Sequence, residues 1–115
     1  MSVAAVMEAL AEPNRRRIVE LLLDGERSVN RLAADTGLAQ PAVSKHLRVL
    51  RDAGLVEVRR EAQRRLYRIR PAPLAELDAW LEPYRRLWNE RLDRLERHLK
   101  GKPQAQGKPR PEAEP

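Results

Sequence analysis

The chain has 115 residues, the size of one ordinary domain, and a net charge of +6 from 23 Lys and Arg against 17 Asp and Glu. It has no cysteine and two histidines, His46 and His98, which excludes disulfide frameworks, zinc ribbons, iron–sulfur sites, thiol nucleophiles and histidine-rich metal sites. Aromatics at 3% are too few for a base-stacking platform, and no apolar run approaches the roughly 18 residues that span a bilayer. The N-terminal MSVAAVMEAL lacks the basic start of a signal peptide. A small cytoplasmic domain is expected, with a negatively charged partner and no membrane. The charge excess is local. Residues 1–39 carry a net −1 and residues 71–115 a net +1, whereas residues 40–70 set nine bases against Asp52, Glu57 and Glu61, a net +6. Such concentration is the footprint of a nucleic-acid surface rather than of a self-paired solvated one.

Val3, Val6, Met7 and Leu10 recur at helical steps and predict a short amphipathic helix that stops near Pro13. The next segment places Ile18, Leu21 and Leu22 on one helical face, with Gly25 as its left-handed end. Glu12, Arg16 and Glu20 stand at i,i+4 spacing, so the Arg15–Arg17 run reads as a solvated, self-paired face. Ser28 is an N-cap for a third helix over Val29–Thr36, burying Leu32 and Ala33 and closed by Gly37. After a tight turn at Leu38-Ala39, Pro41 suits the first position of a fourth helix. Val43, Leu47 and Leu50 form its buried stripe and Gly54 ends it. Two helices joined by a short Gly-containing turn make a helix-turn-helix.

After Gly54 the period changes to two. Leu55, Val56 and Val58, then Leu66 and Ile69, flank a polar stretch and predict a β-hairpin turning near Ala62-Gln63, with Arg59, Arg60, Arg64 and Arg65 near its tip. The predicted fold is therefore mainly α with a small β-hairpin, a winged helix-turn-helix. From Leu74 the pattern is helical again, with a seam of Leu74, Leu77, Leu81, Tyr84, Trp88, Leu92, Leu95 and Leu99. Pro83 predicts a kink or break near Leu81-Glu82. Residues 1–100 read as one DNA-binding and dimerisation domain. Residues 101–115, with four prolines and two glycines, read as a disordered tail.

Outward on the fourth helix, Gln40, Ser44 and Lys45 lie toward the N-terminal end, where a recognition helix meets base edges; Gln pairs with adenine and Lys reaches guanine acceptors. Arg48 and Arg51 further along, and Arg59, Arg64 and Arg65 of the hairpin, are candidates for phosphate contact. His46 has two readings, a backbone contact or a packed structural group. Trp80, Tyr84, Trp88 and the leucine seam are too apolar for a monomer surface and predict pairing with a second copy, which sets two recognition helices roughly 34 Å apart. Val3, Val6, Leu10, Leu77, Leu81, Tyr84, Trp88, Leu92 and Leu95 are the expected interface. The chain has no Ser-His-Asp set, H-E-x-x-H, Walker or G-x-G-x-x-G pattern, so no enzyme, cofactor or metal is expected.

The stretches ALAEPNRRRIVELLL and SVNRLAADTGLAQPAVSKHLRVLRDAGLVEVRREAQRRLYRI resemble the ArsR/SmtB family of bacterial winged-helix repressors, over about residues 3–99. The resemblance implies a cytoplasmic homodimer that joins through its first and last helices and binds double-stranded DNA at a palindromic operator, blocking transcription. It carries base reading to Gln40, Ser44 and Lys45. The family's metal sensing does not carry over. Ser28-Val29-Asn30 replaces the Cys-Val-Cys run, and Asp78-Ala79-Trp80 has Trp where Asp-x-His is required, with Arg91 in the later ligand position. Two other readings stay open: a sensor binding a small molecule of unknown chemistry, as inducer, at the aromatic dimer interface, and a protein-interaction module.

Overall fold

The computed structural model describes residues 2–100; the tail expected to be disordered, 101–115, lies outside the described residues. The elements are α1 (Val3–Leu10), α2 (Pro13–Leu22), β1 (Arg27–Ser28), α3 (Val29–Thr36), α4 (Gln40–Asp52), β2 (Val56–Glu61), β3 (Arg64–Ile69), α5 (Pro71–Trp80) and α6 (Glu82–Lys100). One compact unit runs to Asp78 and a second begins at Ala79.

The first unit is built on a core of Val6, Ile18, Leu22, Leu32, Val43, Leu47, Leu50, Leu55, Val56 and Tyr67. Each of α1 to α4 gives it one apolar stripe, as helical periodicity demands. The caps are local. Ser2, Glu12 and Ser28 accept N–H bonds from Ala5, Arg15 and Arg31 at the starts of α1, α2 and α3. Pro13 opens α2 instead of merely ending α1, because a first-turn proline forfeits no helical hydrogen bond. Gly25 does not cap α2: the helix ends at Leu22 with a right-handed Leu23, and Gly25, at φ +138°, lies in the bend beyond. Pro41 takes the second rather than the first position of α4, after Gln40. At the other end of α4, Gly54 (φ +80°) donates to Arg51 O and Leu55 N donates to Leu50 O, both at 2.9 Å. That is a Schellman end, closed by the buried Leu50 and Leu55 side chains.

The predicted hairpin is present, but the sheet has three strands in the order β1-β3-β2, all antiparallel. The two-residue β1 pairs Arg27 with Tyr67 and Ser28 with Leu66, so β3 is the central strand. β2 and β3 pair from Val56↔Ile69 to Glu61↔Arg64 across a two-residue turn at Ala62-Gln63. α5 adds Pro73 as a buried residue and packs Leu74 and Leu77 against the core. Leu81 separates α5 from α6, so the chain breaks there, and Pro83 falls in the first turn of α6.

Candidate nucleic-acid interface

α3 and α4 are joined by Gly37, Leu38 and Ala39. Gly37 is left-handed (φ +77°) and its N–H closes on Ala33 O at 2.9 Å. Thr36 Oγ1 donates to Leu32 O at 2.8 Å and accepts Leu38 N–H at 3.2 Å. These bonds fix the turn with no ligand's help. Val43, Leu47 and Leu50 then hold α4 against the core and turn its other flank outward.

That flank forms one wall of an open groove lined by Pro41, Ser44, Lys45, Arg48, Arg51 and Asp52, with Arg65 and Tyr67 of β3 as the opposite wall. Its extension past the start of α4 is lined by Asn30, Gln40, Ser44, Gln63, Arg64 and Arg65. The groove thus gathers Gln40, Ser44 and Lys45, expected at base edges, with Arg48, Arg51, Arg64 and Arg65, expected at phosphates. Among the described residues Lys45, Arg48, Arg51 and Arg65 make no ion pair, and Asp52 is the one acid beside them in the groove, so positive charge predominates there. Two residues are placed elsewhere. His46 is half-buried on the opposite flank of α4 and is among the groups that lower the Glu12 carboxyl. Arg59 faces away from the core on β2 and is engaged by carboxylates: its Nε donates to both Glu26 oxygens at 3.1 Å, and its Nη2 reaches Glu26 and, at 3.2 Å, Glu61. Both therefore lie outside the groove that gathers the other candidates, with Arg59 held in surface ion pairs.

The electrostatics follow the geometry. Arg59 pushes the Glu26 carboxyl below its usual range by hydrogen bonding, against a smaller opposing effect of desolvation, and Glu26 raises the Arg59 guanidinium in return. Glu12 is raised by desolvation, but backbone N–H bonds from Arg15 and Asn14 outweigh this and leave it lowered. Arg15 and Arg16, read as a self-paired face, instead bind the open carbonyls of α1: Arg15 Nε to Ala9 O at 2.6 Å, Arg16 Nη1 to Leu10 O at 2.9 Å and Ala11 O at 3.1 Å. A cation at a helix C-terminus satisfies orphan acceptors and complements the dipole.

Of the residues expected at a dimer interface, Val6 is fully buried in the chain's own core, and its side chain has no surface to offer a partner. Leu10 and Leu77 are partly buried against that core, and Val3, Leu81 and Leu92 are also half-buried. Tyr84, Trp88 and Leu95 are about half exposed, at 49%, 47% and 52%, with Leu87 and Leu99 beside them. α6 buries none of its residues. Trp80 and Tyr84 stack at 4.8 Å between ring centroids, tilted by 37°. Asn30 and Gln63 line the groove but are not among the residues that the sequence marks for the site. Asn30 and Gln63 are polar residues on the exposed start of α3 and in the turn, and only their convergence on Gln40 marks them.

The profile of the bacterial regulatory protein arsR family matches residues 12–58, which covers α2 through the start of β2. An HTH-type transcriptional regulator of Mycobacterium tuberculosis is 44% identical over 85 residues, 74% of this chain and 77% of that protein. The chain belongs to the ArsR family. The biofilm growth-associated repressor of Xylella fastidiosa, 40% identical, aligns over 65% of this chain and 66% of its own length. The solution structure of a homodimeric winged helix-turn-helix DNA-binding domain from Mycobacterium bovis, described as a possible ArsR-family regulator, is 41% identical with a TM-score of 0.61, covering 71% of this chain and 76% of that one. As an ArsR-family member the chain is a DNA-binding transcriptional regulator built on the winged helix-turn-helix fold, with α3 and α4 as the helix pair and β2–β3 as the wing. No described helix is long and apolar enough to cross a membrane.

Proposed function

We propose that this regulator is a cytoplasmic homodimeric repressor that covers a promoter at a palindromic operator, with residues 1–100 as its DNA-binding and dimerisation part. α4 enters the major groove with Gln40, Ser44 and Lys45 at base edges, and Arg48, Arg51, Arg64 and Arg65 hold the flanking backbone. The observation that carries this reading is the groove itself: bases on α4 and β3, outnumbering its single acid Asp52, line one open channel along α4. The repressor relative and the homodimeric neighbour support the mode of action. The half-exposed Tyr84, Trp88 and Leu95 supply a face for a second copy.

The test is a gel-shift titration against the chain's own promoter region at rising salt. Log affinity should fall against log salt with a slope of about −0.9 for each phosphate neutralised. A salt-insensitive complex, or none, would end the proposal. Replacing Gln40 or Ser44 should change the preferred sequence, by about 1–3 kcal/mol at one base pair, where replacing Arg48 weakens all sequences alike.

A further inference from the structure

The wing has two faces of opposite electrostatic character. Strand alternation puts Val56, Val58 and Arg60 of β2 on the face that β3 lines with Ile69, Tyr67 and Arg65, and puts Glu57, Arg59 and Glu61 on the other, opposite Arg68, Leu66 and Arg64. The first face is continuous with the core through Val56 and Tyr67. The second holds both wing acids. There Arg68 meets Glu57 at 2.6 Å, Arg70 meets Glu57 at 3.7 Å, Arg64 meets Glu61 at 3.9 Å, and Arg59 is shared by Glu26 and Glu61. The core-facing side of the two strands carries no carboxylate. Arg60 and Arg65 stand directly opposite each other in the ladder, and among the described residues neither makes an ion pair.

Like charges directly opposed across a strand pair are destabilising. A carboxylate at position 60 or 65 would remove that cost, and the outer face shows the arrangement repeatedly. Arg65 also lines the groove beside Ser44 and Arg48, so the opposed pair stands at the edge of the surface that α4 presents. We propose that the wing grips the DNA backbone with Arg60 and Arg65 together, and that Arg59 is a positioning residue, held by Glu26, that sets the wing against the bend after α2. This rests on the DNA-binding reading above. The pair is a guanidinium fork for phosphate oxygens, stabilised by the partner that it lacks in the free protein. Arg59, 45% exposed yet saturated by two carboxylates, adds no net charge to the duplex face.

The experiment compares full-length Arg59→Gln, Arg60→Gln and Arg65→Gln in two readouts. In salt titrations of duplex binding, Arg60→Gln and Arg65→Gln each flatten the slope, by about 0.9 for each phosphate no longer neutralised. Arg59→Gln leaves the slope unchanged and lowers affinity about two- to fivefold, the scale of an exposed ion pair. In melting of the free protein at low salt, Arg60→Gln and Arg65→Gln raise Tm by relieving the opposed charges, and the rise shrinks as salt screens them. Arg59→Gln lowers Tm, and the exchange Glu26→Arg with Arg59→Glu restores it. A slope loss in Arg59→Gln equal to that in Arg65→Gln overturns the inference, as does an unchanged slope or a lowered Tm in Arg60→Gln. A wild-type chain with no duplex complex at any salt would overturn the DNA-binding reading itself, whatever the melting temperatures.

Discussion

At the scale of single residues, the turn of the wing stores a local cost. Ala62 sits at φ +57°, where an L residue with a Cβ is disfavoured by about 1–2 kcal/mol, and Gln63 does not share the positive φ. Only the first central residue of this two-residue turn is left-handed, the pattern in which glycine normally takes that place. Ala62→Gly should therefore stabilise the free protein, by about 0.5–1 kcal/mol once the added freedom of the unfolded chain is subtracted. Urea denaturation checks this, and a lower midpoint in the glycine variant contradicts it. Arg15 is the opposite case, a charged donor to the Ala9 carbonyl at 2.6 Å with no competing carboxylate bond. Arg15→Ala should cost about 1–2 kcal/mol by reopening the end of α1. Neither role is visible in the sequence. Periodicity locates the turn at Ala62-Gln63 but not its handedness, and the spacing of Glu12, Arg16 and Glu20 suggests pairs that lose to carbonyls supplied by another helix.

At the scale of elements, α3 and α4 are legible because their signals are local: Ser28 caps one, Gly37 ends it, and the Val43–Leu47–Leu50 stripe orients the other. β1 is not, since two residues carry no period; Arg27 and Ser28 become a strand only because β3 has a free edge for them. The charge pattern of the wing is hidden for the same reason. Counting bases makes Arg59 and Arg65 equivalent, whereas the register separates them and a distant Glu26 neutralises one. That tether has a pH signature. The Glu26 carboxyl is lowered in the folded protein, so its contribution is complete above its ordinary value of 4.5 and is lost as pH falls through the lower folded value. The melting temperature of wild type should exceed that of Glu26→Gln from pH 7 down to about 5, and the difference should vanish in stronger acid. A difference that persists undiminished at pH 2 would mean that Glu26 acts through packing, not charge.

At the scale of the whole molecule, the unpaired positive charge and the longest run of exposed apolar side chains fall on different elements, and this divides the tasks. The excess of positive charge lies in residues 40–70, and after ion pairing it survives mainly on α4 and on one side of the wing. The longest run of exposed apolar side chains lies on the last helix, with Met7, Leu23, Val49 and Trp80 exposed singly elsewhere. The seam there has the spacing that periodicity predicts, whereas α1 departs from expectation: Val6 has the helical period of an interface residue but is consumed by the core. Since α6 buries nothing of its own, a face bearing Tyr84, Leu87, Trp88 and Leu95 requires another surface, and the proposed one is a second copy. Charging it tests that without touching the DNA-facing residues. Trp88→Arg with Leu95→Arg should give a monomer in sedimentation velocity, because two buried cations per chain cannot be paired across a two-fold interface made of the same face. The helix-turn-helix core contains neither residue, so the far-UV spectrum of the variant should stay that of a folded helical protein. Duplex affinity should fall and the salt slope should halve, as one set of phosphate contacts replaces two. A variant that remains dimeric moves the interface off α6; a monomer that keeps the wild-type slope removes the second copy from DNA recognition.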